Sequence, residues 1–195
     1  MSEPARKPLL AVMLPTYNER ENIADMVEAI LALPLDADVR VVVADDDSPD
    51  GTGRWAEERA AADPRVHALV RKKRRGRGAG GIDGLKAALA LGADFVVEMD
   101  ADFSHAPKYI PDLLAAAAQA DLVLGSRFVP GGRDADRGLH RRFITFCVGT
   151  FIRRLYGLSI RDVSSGYRLY RREVLEAVDL DDLISVGQSV VLEIL

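Results

Sequence analysis

Asp100 and Asp102 stand two residues apart at the end of an apolar run, Phe95–Met99. In extended backbone, residues two apart point the same way, so both carboxylates can reach one hard cation. Mg2+ and Mn2+ prefer oxygen ligands, and Mg2+ commonly joins one or two carboxylates to the phosphates of a substrate. A pair of acids in a turn is usually just solvated. Here the strand before the pair and the Phe103-Ser104-His105-Ala106-Pro107 segment after it favour metal binding. His105 either orients such a metal loop or simply occupies the turn; none of His67, His105 and His140 is assigned a proton-transfer role.

Polar groups recur at two other strand ends. Leu9–Leu14 runs into Pro15, Thr16, Tyr17, Asn18 and Glu19, and Val39–Ala44 runs into Asp45, Asp46 and Asp47. From Asp46 to Glu57 the spacing also satisfies a calcium-binding EF-hand loop, with Ser48, Asp50 and Gly51 in register. An apolar strand precedes it where that motif needs an amphipathic helix, and Gly53 takes a position that is usually apolar. These acids therefore read as hydrogen-bonding groups for a ribose or base, with Ser48 and Asp50 turning the chain and capping the next helix. Gly76–Gly81 satisfies G-x-G-x-x-G, but the basic residues Arg71–Arg75 separate it from the preceding strand. A dinucleotide fingerprint needs a tight strand-to-helix turn there. A basic, Gly-rich loop near a diphosphate, leading into a helix N-terminus, is more economical; a solvated flexible loop is the plain alternative.

The elements that must position these groups follow from periodicity. Strands are expected at Leu9–Leu14 (stopped by Pro15), Val39–Ala44, Val66–Val70, Phe95–Met99 and Leu122–Gly125. Helices are expected at Asn22–Leu33, Thr52–Ala62, Gly81–Leu91 and Pro107–Ala118. Alternation of strand and helix implies an α/β fold, a Rossmann-like, mostly parallel sheet flanked by helices. Ligands of such sheets bind beyond the carboxyl ends of the strands, where all three polar clusters lie.

Length and composition bound the rest. A chain of 195 residues, 48% hydrophobic and 29% charged, suits one soluble domain with a sizeable core. The single cysteine, Cys147, excludes an intramolecular disulfide and fits a reducing compartment. Met1–Pro8 has no signal-peptide core, and no stretch reaches the roughly 20 apolar residues that span a bilayer. The chain ends at Leu195 inside an apolar, helix-like run, so the reading is of a single domain over 1–195, truncated at its C-terminus. Charge is uneven: Arg127–Arg172 holds 11 arginines against three acids, a local +8, while the whole chain is −4. That is either a solvated basic face or a surface for phosphate, lipid headgroups or nucleic acid.

Five blocks in order now bear on identity: Pro15-Thr16-Tyr17-Asn18-Glu19; Asp45-Asp46-Asp47-Ser48-Pro49-Asp50-Gly51-Thr52; Met99-Asp100-Ala101-Asp102-Phe103-Ser104-His105; Gly125-Ser126-Arg127-Phe128; and Asp162–Tyr170. Together they resemble the inverting family 2 glycosyltransferases with the GT-A fold, within these the dolichol- or polyprenol-phosphate mannose synthases. The resemblance extends from about Leu10 to Arg172. It implies that Pro15, Tyr17, Glu19 and Asp46 hold guanosine, with Asp45 nearby. It implies that Asp100 and Asp102 bind Mg2+ or Mn2+ at the donor diphosphate, that Arg127 and Arg168 bind phosphate groups, and that Arg141 or Arg142 binds the acceptor phosphate. Asp102, Arg127 and Arg168 would then be the catalytic set. The implied partners are a nucleotide-sugar donor, a polyprenyl phosphate acceptor and a membrane surface, with no nucleic acid, and the implied location is peripheral on the cytoplasmic face of a membrane. Ser104 departs from a Gln that serves some relatives as a third metal ligand, and Asp47 replaces the usual Asn or Gly.

No acidic base motif of the kind used with hydroxyl acceptors is evident. A hydroxyl loses a proton as it attacks and benefits from a general base; a phosphate monoester is already ionised and needs cations to align it. Rival readings are a UDP-glucose-dependent transferase, an NAD-dependent oxidoreductase, and a non-catalytic nucleotide- or lipid-binding domain. Phe143–Ile152, bracketed by Arg141-Arg142 and Arg153-Arg154, is too short to cross a bilayer. It reads either as a core helix or as an interfacial one with Phe143, Phe146 and Phe151 among lipid tails.

Overall fold

A computed structural model describes residues 6–73, 76–129, 148–152, 154, 155, 157, 160, 162 and 164–183. Six strands form one sheet: β1 (Leu9–Thr16), β2 (Asp38–Asp45), β3 (Val66–Val70), β4 (Phe95–Glu98), β5 (Leu122–Leu124) and β6 (Arg168–Arg171), in the order β3-β2-β1-β4-β6-β5. Strands β1 to β4 run parallel; β6 is antiparallel to both β4 and β5. The helices are α1 (Ile23–Leu31), α2 (Thr52–Ala62), α3 (Arg77–Ala90) and α4 (Ile110–Ala116), and a short helix follows at Arg172–Ala177.

The central strand explains why the sequence reads as an unbroken apolar run. Both faces of β1 are covered. Leu10, Val12 and Leu14 pack with Ile23, Met26, Val27 and Ile30 of α1. Ala11 and Met13 pack on the other face with Ile82, Leu85 and Ala88 of α3. Each large side chain so buried contributes roughly 1.5–3 kcal/mol. Gly84 lets α3 lie close to the sheet, since a Cβ there would sit 2.7 Å from Met13 Cγ.

Three expectations are revised. Strand β1 continues through Pro15 to Thr16, because its ladder with β4 ends at Met13 while its ladder with β2 continues to Thr16. Pro15 lacks an N–H only where one side of β1 has no ladder left to feed. Helix α3 begins at Arg77, inside the glycine run, and not at Gly81. Strand β6 and the helix after it were not expected: Arg168-Leu169-Tyr170-Arg171 is short and charged at both ends, and its pairing with β4 is a tertiary contact that local pattern does not carry.

Candidate active site

The carboxyl ends of β1, β2 and β4 open on a cavity of about 480 Å³. The end of β1 supplies Pro15, Thr16 and Tyr17 with Glu19 beyond, the end of β2 supplies Asp46, the start of α3 supplies Gly76 and Gly80, and the end of β4 supplies Asp100 and Asp102. Among the described residues, three non-glycine residues have positive φ: Asn18 (61°), Asp47 (55°) and Phe103 (61°). They directly follow Tyr17, Asp46 and Asp102, respectively. Left-handed backbone outside glycine clusters at functional loops where the surroundings over-determine it.

A hydrogen-bonded scaffold shapes the first of these loops. Asp45 is fully buried and accepts from Thr16 Oγ1 (3.0 Å), Ser48 N–H (2.9 Å) and Ser48 Oγ (2.6 Å). Ser48 Oγ in turn accepts the Asn18 N–H, Asp50 accepts those of Arg20 and Thr52, and Thr52 Oγ1 accepts that of Glu19. Burial works against ionisation of Asp50, but the Thr52 hydrogen bonds outweigh it and hold the carboxyl below its usual range. Asp45 therefore has a scaffold role: its oxygens accept these bonds inside the fold, and, unlike Asp46, it is not among the residues that line the cavity, where a nucleotide contact is expected of it. Gly53 shows how closely it is enclosed, since a Cβ there would lie 2.5 Å from Asp45 Oδ1 and 3.2 Å from Val70 Cγ2. Gly53→Ala gains about 1 kcal/mol of helix propensity but overpacks this site at about 1–3 kcal/mol and strains a buried, hydrogen-bonded carboxylate. We expect a net loss of about 1–2 kcal/mol, read as a lower urea midpoint. An unchanged or raised midpoint would contradict the scaffold.

Asp46 is the carboxylate that faces the cavity, and it is tied down. Its Oδ1 pairs with Arg71 Nη1, and its Oδ2 accepts the Gly76 N–H at 2.7 Å. Arg71 Nε donates to Asp83 Oδ2 at 2.8 Å, and the Arg71 side chain is only 3% exposed. The glycine run makes this arrangement possible. Gly76 has φ 127°, open to glycine alone, and a Cβ at Gly80 would come 3.1 Å from Arg71 Nη1. Sequence reasoning placed Arg71 in a loose basic loop. Its signal was its place directly after β3, with Gly80 and Asp83 three apart on one helix face.

The turn that carries Asp100 and Asp102 is similarly ordered. Asp102 Oδ1 accepts the Ser104 N–H at 3.0 Å. Burial opposes ionisation of Asp102, but the Ser104 hydrogen bonds prevail and hold its carboxyl below the ordinary value. Asp100 and Asp102 both edge the cavity, with Ala101 buried between them. No group of three or more His, Cys, Asp or Glu able to hold a metal occurs among the described residues. Two carboxylates beside a cavity of diphosphate size fit Mg2+ or Mn2+, which take oxygen ligands and fill their remaining positions with water and substrate phosphates.

Arg127 and Arg168 do not line this cavity. Arg127 makes a bidentate pair with Asp162, Nε–Oδ2 2.9 Å and Nη2–Oδ1 3.1 Å. Burial alone would raise the Asp162 pKa; Arg127 instead brings it below the usual carboxylate range. Arg168 is fully buried, its Nε donating to Ser165 O at 2.7 Å, opposite Glu98 in the β4–β6 ladder. Glu98 also accepts Tyr170 OH at 3.0 Å, and burial first, then the Glu98 charge, pushes that phenol up. The expected phosphate contact of Arg168 thus meets a side chain with no solvent-facing surface in this structure. Arg141, Arg142, Phe143, Phe146 and His140 lie outside the described residues.

The family model for glycosyl transferase family 2 matches residues 11–179. The chain belongs to glycosyl transferase family 2. This family 2 domain is 45% identical over 175 residues to undecaprenyl-phosphate mannosyltransferase of Micrococcus luteus, covering 90% of the chain and 71% of that protein. It is 46% identical over 179 residues to polyprenol monophosphomannose synthase of Mycolicibacterium smegmatis, covering 90% and 66%. It is 35% identical over 190 residues to dolichol-phosphate mannosyltransferase of Pyrococcus furiosus, covering 95% of the chain but 52% of that protein. The family 2 domain thus spans between about half and about seven tenths of these relatives. Its fold is GT-A: glucosyl-3-phosphoglycerate synthase of Mycobacterium tuberculosis, crystallised with Mn2+, UDP-glucose and glycerol 3-phosphate, superposes with a TM-score of 0.67 at 21% identity, over 96% of this chain and 64% of that one.

Proposed function

We propose that this domain, as a single catalytic unit, transfers mannose from GDP-mannose to a polyprenyl phosphate with inversion at the anomeric carbon. The observation that carries the donor half is the contrast within one cavity, between the Arg71-braced Asp46 and the Asp100/Asp102 pair. That contrast suits the base and the diphosphate of one nucleotide sugar. The acceptor half is supported by the relatives named for undecaprenyl, polyprenol and dolichol phosphates.

In this reading Pro15 and Tyr17 lie along the guanine, Glu19 accepts from the ribose, and Asp46 accepts from the base edge. Asp100 and Asp102 hold Mg2+ or Mn2+, which when bound supplies positive charge for the departing diphosphate. An acceptor phosphate oxygen, already anionic, forms its bond to the sugar C1 as the C1–oxygen bond to GDP breaks and that electron pair leaves with GDP. No protein base is required. Arg141 or Arg142 supplies the cation that aligns the acceptor phosphate, while Arg127 and Arg168, engaged by Asp162 and by Ser165 O away from the cavity, brace the neighbouring loop and strand. An α-linked donor gives a β-linked product. We put the reaction at the cytoplasmic face of a membrane, a reading supported by the lipid phosphates in the names of the relatives. Among the described residues no helix is long and apolar enough to cross one, while Val148, Phe151 and Leu155 are 51%, 66% and 62% exposed at helical spacing.

Base preference tests the donor. Guanine offers N1–H and N2–H side by side to a carboxylate, whereas uracil offers one N–H flanked by two carbonyls. One charge-assisted hydrogen bond is worth about 1.5–3 kcal/mol. Competition calorimetry is therefore expected to show GDP binding at least about tenfold tighter than UDP. Equal affinity, or preference for UDP, would replace this reading with the UDP-glucose one.

A further inference from the structure

We propose that His105 is a positioning residue for the metal-binding turn: its Nδ1 holds the Asp100 amide in place, and Tyr167 holds the imidazole. This rests on the reading of Asp100 and Asp102 as metal ligands.

The Asp100 N–H donates to His105 Nδ1 at 3.0 Å, closing the segment from Asp100 to His105 into a ring. Inside it, Asp102 Oδ1 accepts the Ser104 N–H, and Phe103 adopts left-handed backbone with φ 61°. A phenylalanine does not rest there without restraint from both sides. The Asp100–His105 bond supplies that restraint across the turn. It also fixes the peptide plane from which the Asp100 side chain departs, and so sets its carboxylate relative to that of Asp102.

The imidazole is itself held. It stacks on Tyr167 with ring centroids 5.1 Å apart and an interplanar angle of 17°. Tyr167 is buried, its OH donates to Ala106 O at 3.1 Å, and its carbonyl accepts the Gly125 N–H at 2.8 Å. A Cβ at Gly125 would lie 3.0 Å from Tyr167 Cδ1, so the ring packs where only a glycine leaves space for it. The Asp-Val-Ser-Ser-Gly-Tyr block thus reaches the Asp-x-Asp block through one aromatic stack. Nδ1 accepts the Asp100 N–H and lies 3.8 Å from Asp100 Oδ2, so the ring is tied to both the backbone and the side-chain end of that residue. An imidazole both stacks and accepts here, whereas a phenyl group would stack but could not accept.

Three substitutions separate acceptor from stack. Asn places its carbonyl oxygen at the δ position that Nδ1 occupies; Gln places its oxygen one bond further; Phe keeps the stack and removes the acceptor. Groups that orient metal ligands typically change metal affinity by about 10- to 100-fold when removed. Mn2+ binding in the presence of GDP, followed by electron paramagnetic resonance, is expected to weaken about 10-fold or more in His105→Phe and His105→Gln. It should stay within about threefold of wild type in His105→Asn. In the metal-free protein, hydrogen exchange at the Asp100 amide should be slow in wild type and His105→Asn, and fast in His105→Phe. With transfer as the readout, the apparent KM for Mn2+ rises while kcat at saturating Mn2+ is retained. Wild-type Mn2+ affinity in a folded His105→Phe protein, or His105→Asn behaving as badly as His105→Phe, would overturn the proposal. Absence of Mn2+ binding by the wild type would overturn the metal reading and this proposal with it, whereas tight wild-type binding unaffected by His105→Phe would overturn this proposal alone.

Discussion

Asp102→Asn is expected to lower kcat/KM by about three orders of magnitude while leaving the protein folded. Charge stabilisation of a leaving group by a bound divalent cation is worth several kcal/mol, and each 1.36 kcal/mol corresponds to about tenfold in rate. The amide is a poor ligand for a hard cation, yet its oxygen can still accept the Ser104 N–H that Asp102 Oδ1 accepts at 3.0 Å. Local geometry should therefore survive. The pH behaviour follows from the same hydrogen bonds. The Asp102 carboxyl sits below its ordinary value, burial opposing and Ser104 favouring the charged form. Its contribution to stability is therefore present above the unfolded-state pKa and is lost as pH falls through the lower folded value. The asparagine variant loses that acid-side slope and, at neutral pH, the charge-assisted part of the Ser104 hydrogen bonds. Circular dichroism and initial rates at limiting Mn2+ check both halves. Near-normal turnover by a folded variant would remove Asp102 from the metal site.

Arg71→Met is expected to act on stability and donor binding together. It leaves two carboxylates, Asp46 and Asp83, facing each other without the guanidinium between them. Breaking a buried pair by removing one partner costs about 3–5 kcal/mol. The Asp46 side chain is 12% exposed and keeps the Gly76 N–H, and that of Asp83 is 35% exposed, so water relieves part of the loss. The expected cost is accordingly about 3 kcal/mol, together with weaker GDP binding, because Asp46 is no longer held at the cavity wall. Arg71→Lys should fall between: it keeps the charge, but a point charge does not span two carboxylates as a guanidinium fork does. Chemical denaturation and calorimetric titration with GDP read the two effects. A methionine variant within about 0.5 kcal/mol of wild type, as surface substitutions usually are, would show that Arg71 is not the brace of this pocket.

How far the sequence foretold this site depends on whether a feature is local or tertiary. The expected bounds of α2 and β3, Thr52–Ala62 and Val66–Val70, match those observed, because their periods and turn residues are local signals. That Tyr17, Glu19, Asp46, Asp100 and Asp102 share one cavity followed from their places at the ends of parallel strands. The different places of Asp45 and Asp46 are not legible, because two adjacent aspartates at the end of β2 look alike in sequence. Strand alternation turns one into the fold, where Thr16 and Ser48 claim it, and the other toward the cavity. The Gly76–Gly81 run reads as a loop near a diphosphate or as a solvated one, and its packing role is not legible because the guanidinium it accommodates arrives from the end of β3. Strand β6 is held by β4 and β5, at separations no window reaches. Arg127 and Arg168 were legible as arginines in matching blocks, but not their engagement by Asp162 and by Ser165 O.

The central claim is that this cavity delivers mannose from GDP-mannose to an ionised polyprenyl phosphate without a protein base. The most direct measurement is product analysis after incubating the protein with GDP-mannose, undecaprenyl phosphate and Mn2+, using mass spectrometry for composition and NMR for the anomeric configuration. The account predicts stoichiometric GDP and a β-linked mannosyl phosphoryl polyprenol, formed only when metal is present. Transfer from UDP-glucose but not from GDP-mannose, an α-linked product, or undiminished transfer in excess chelator would contradict it.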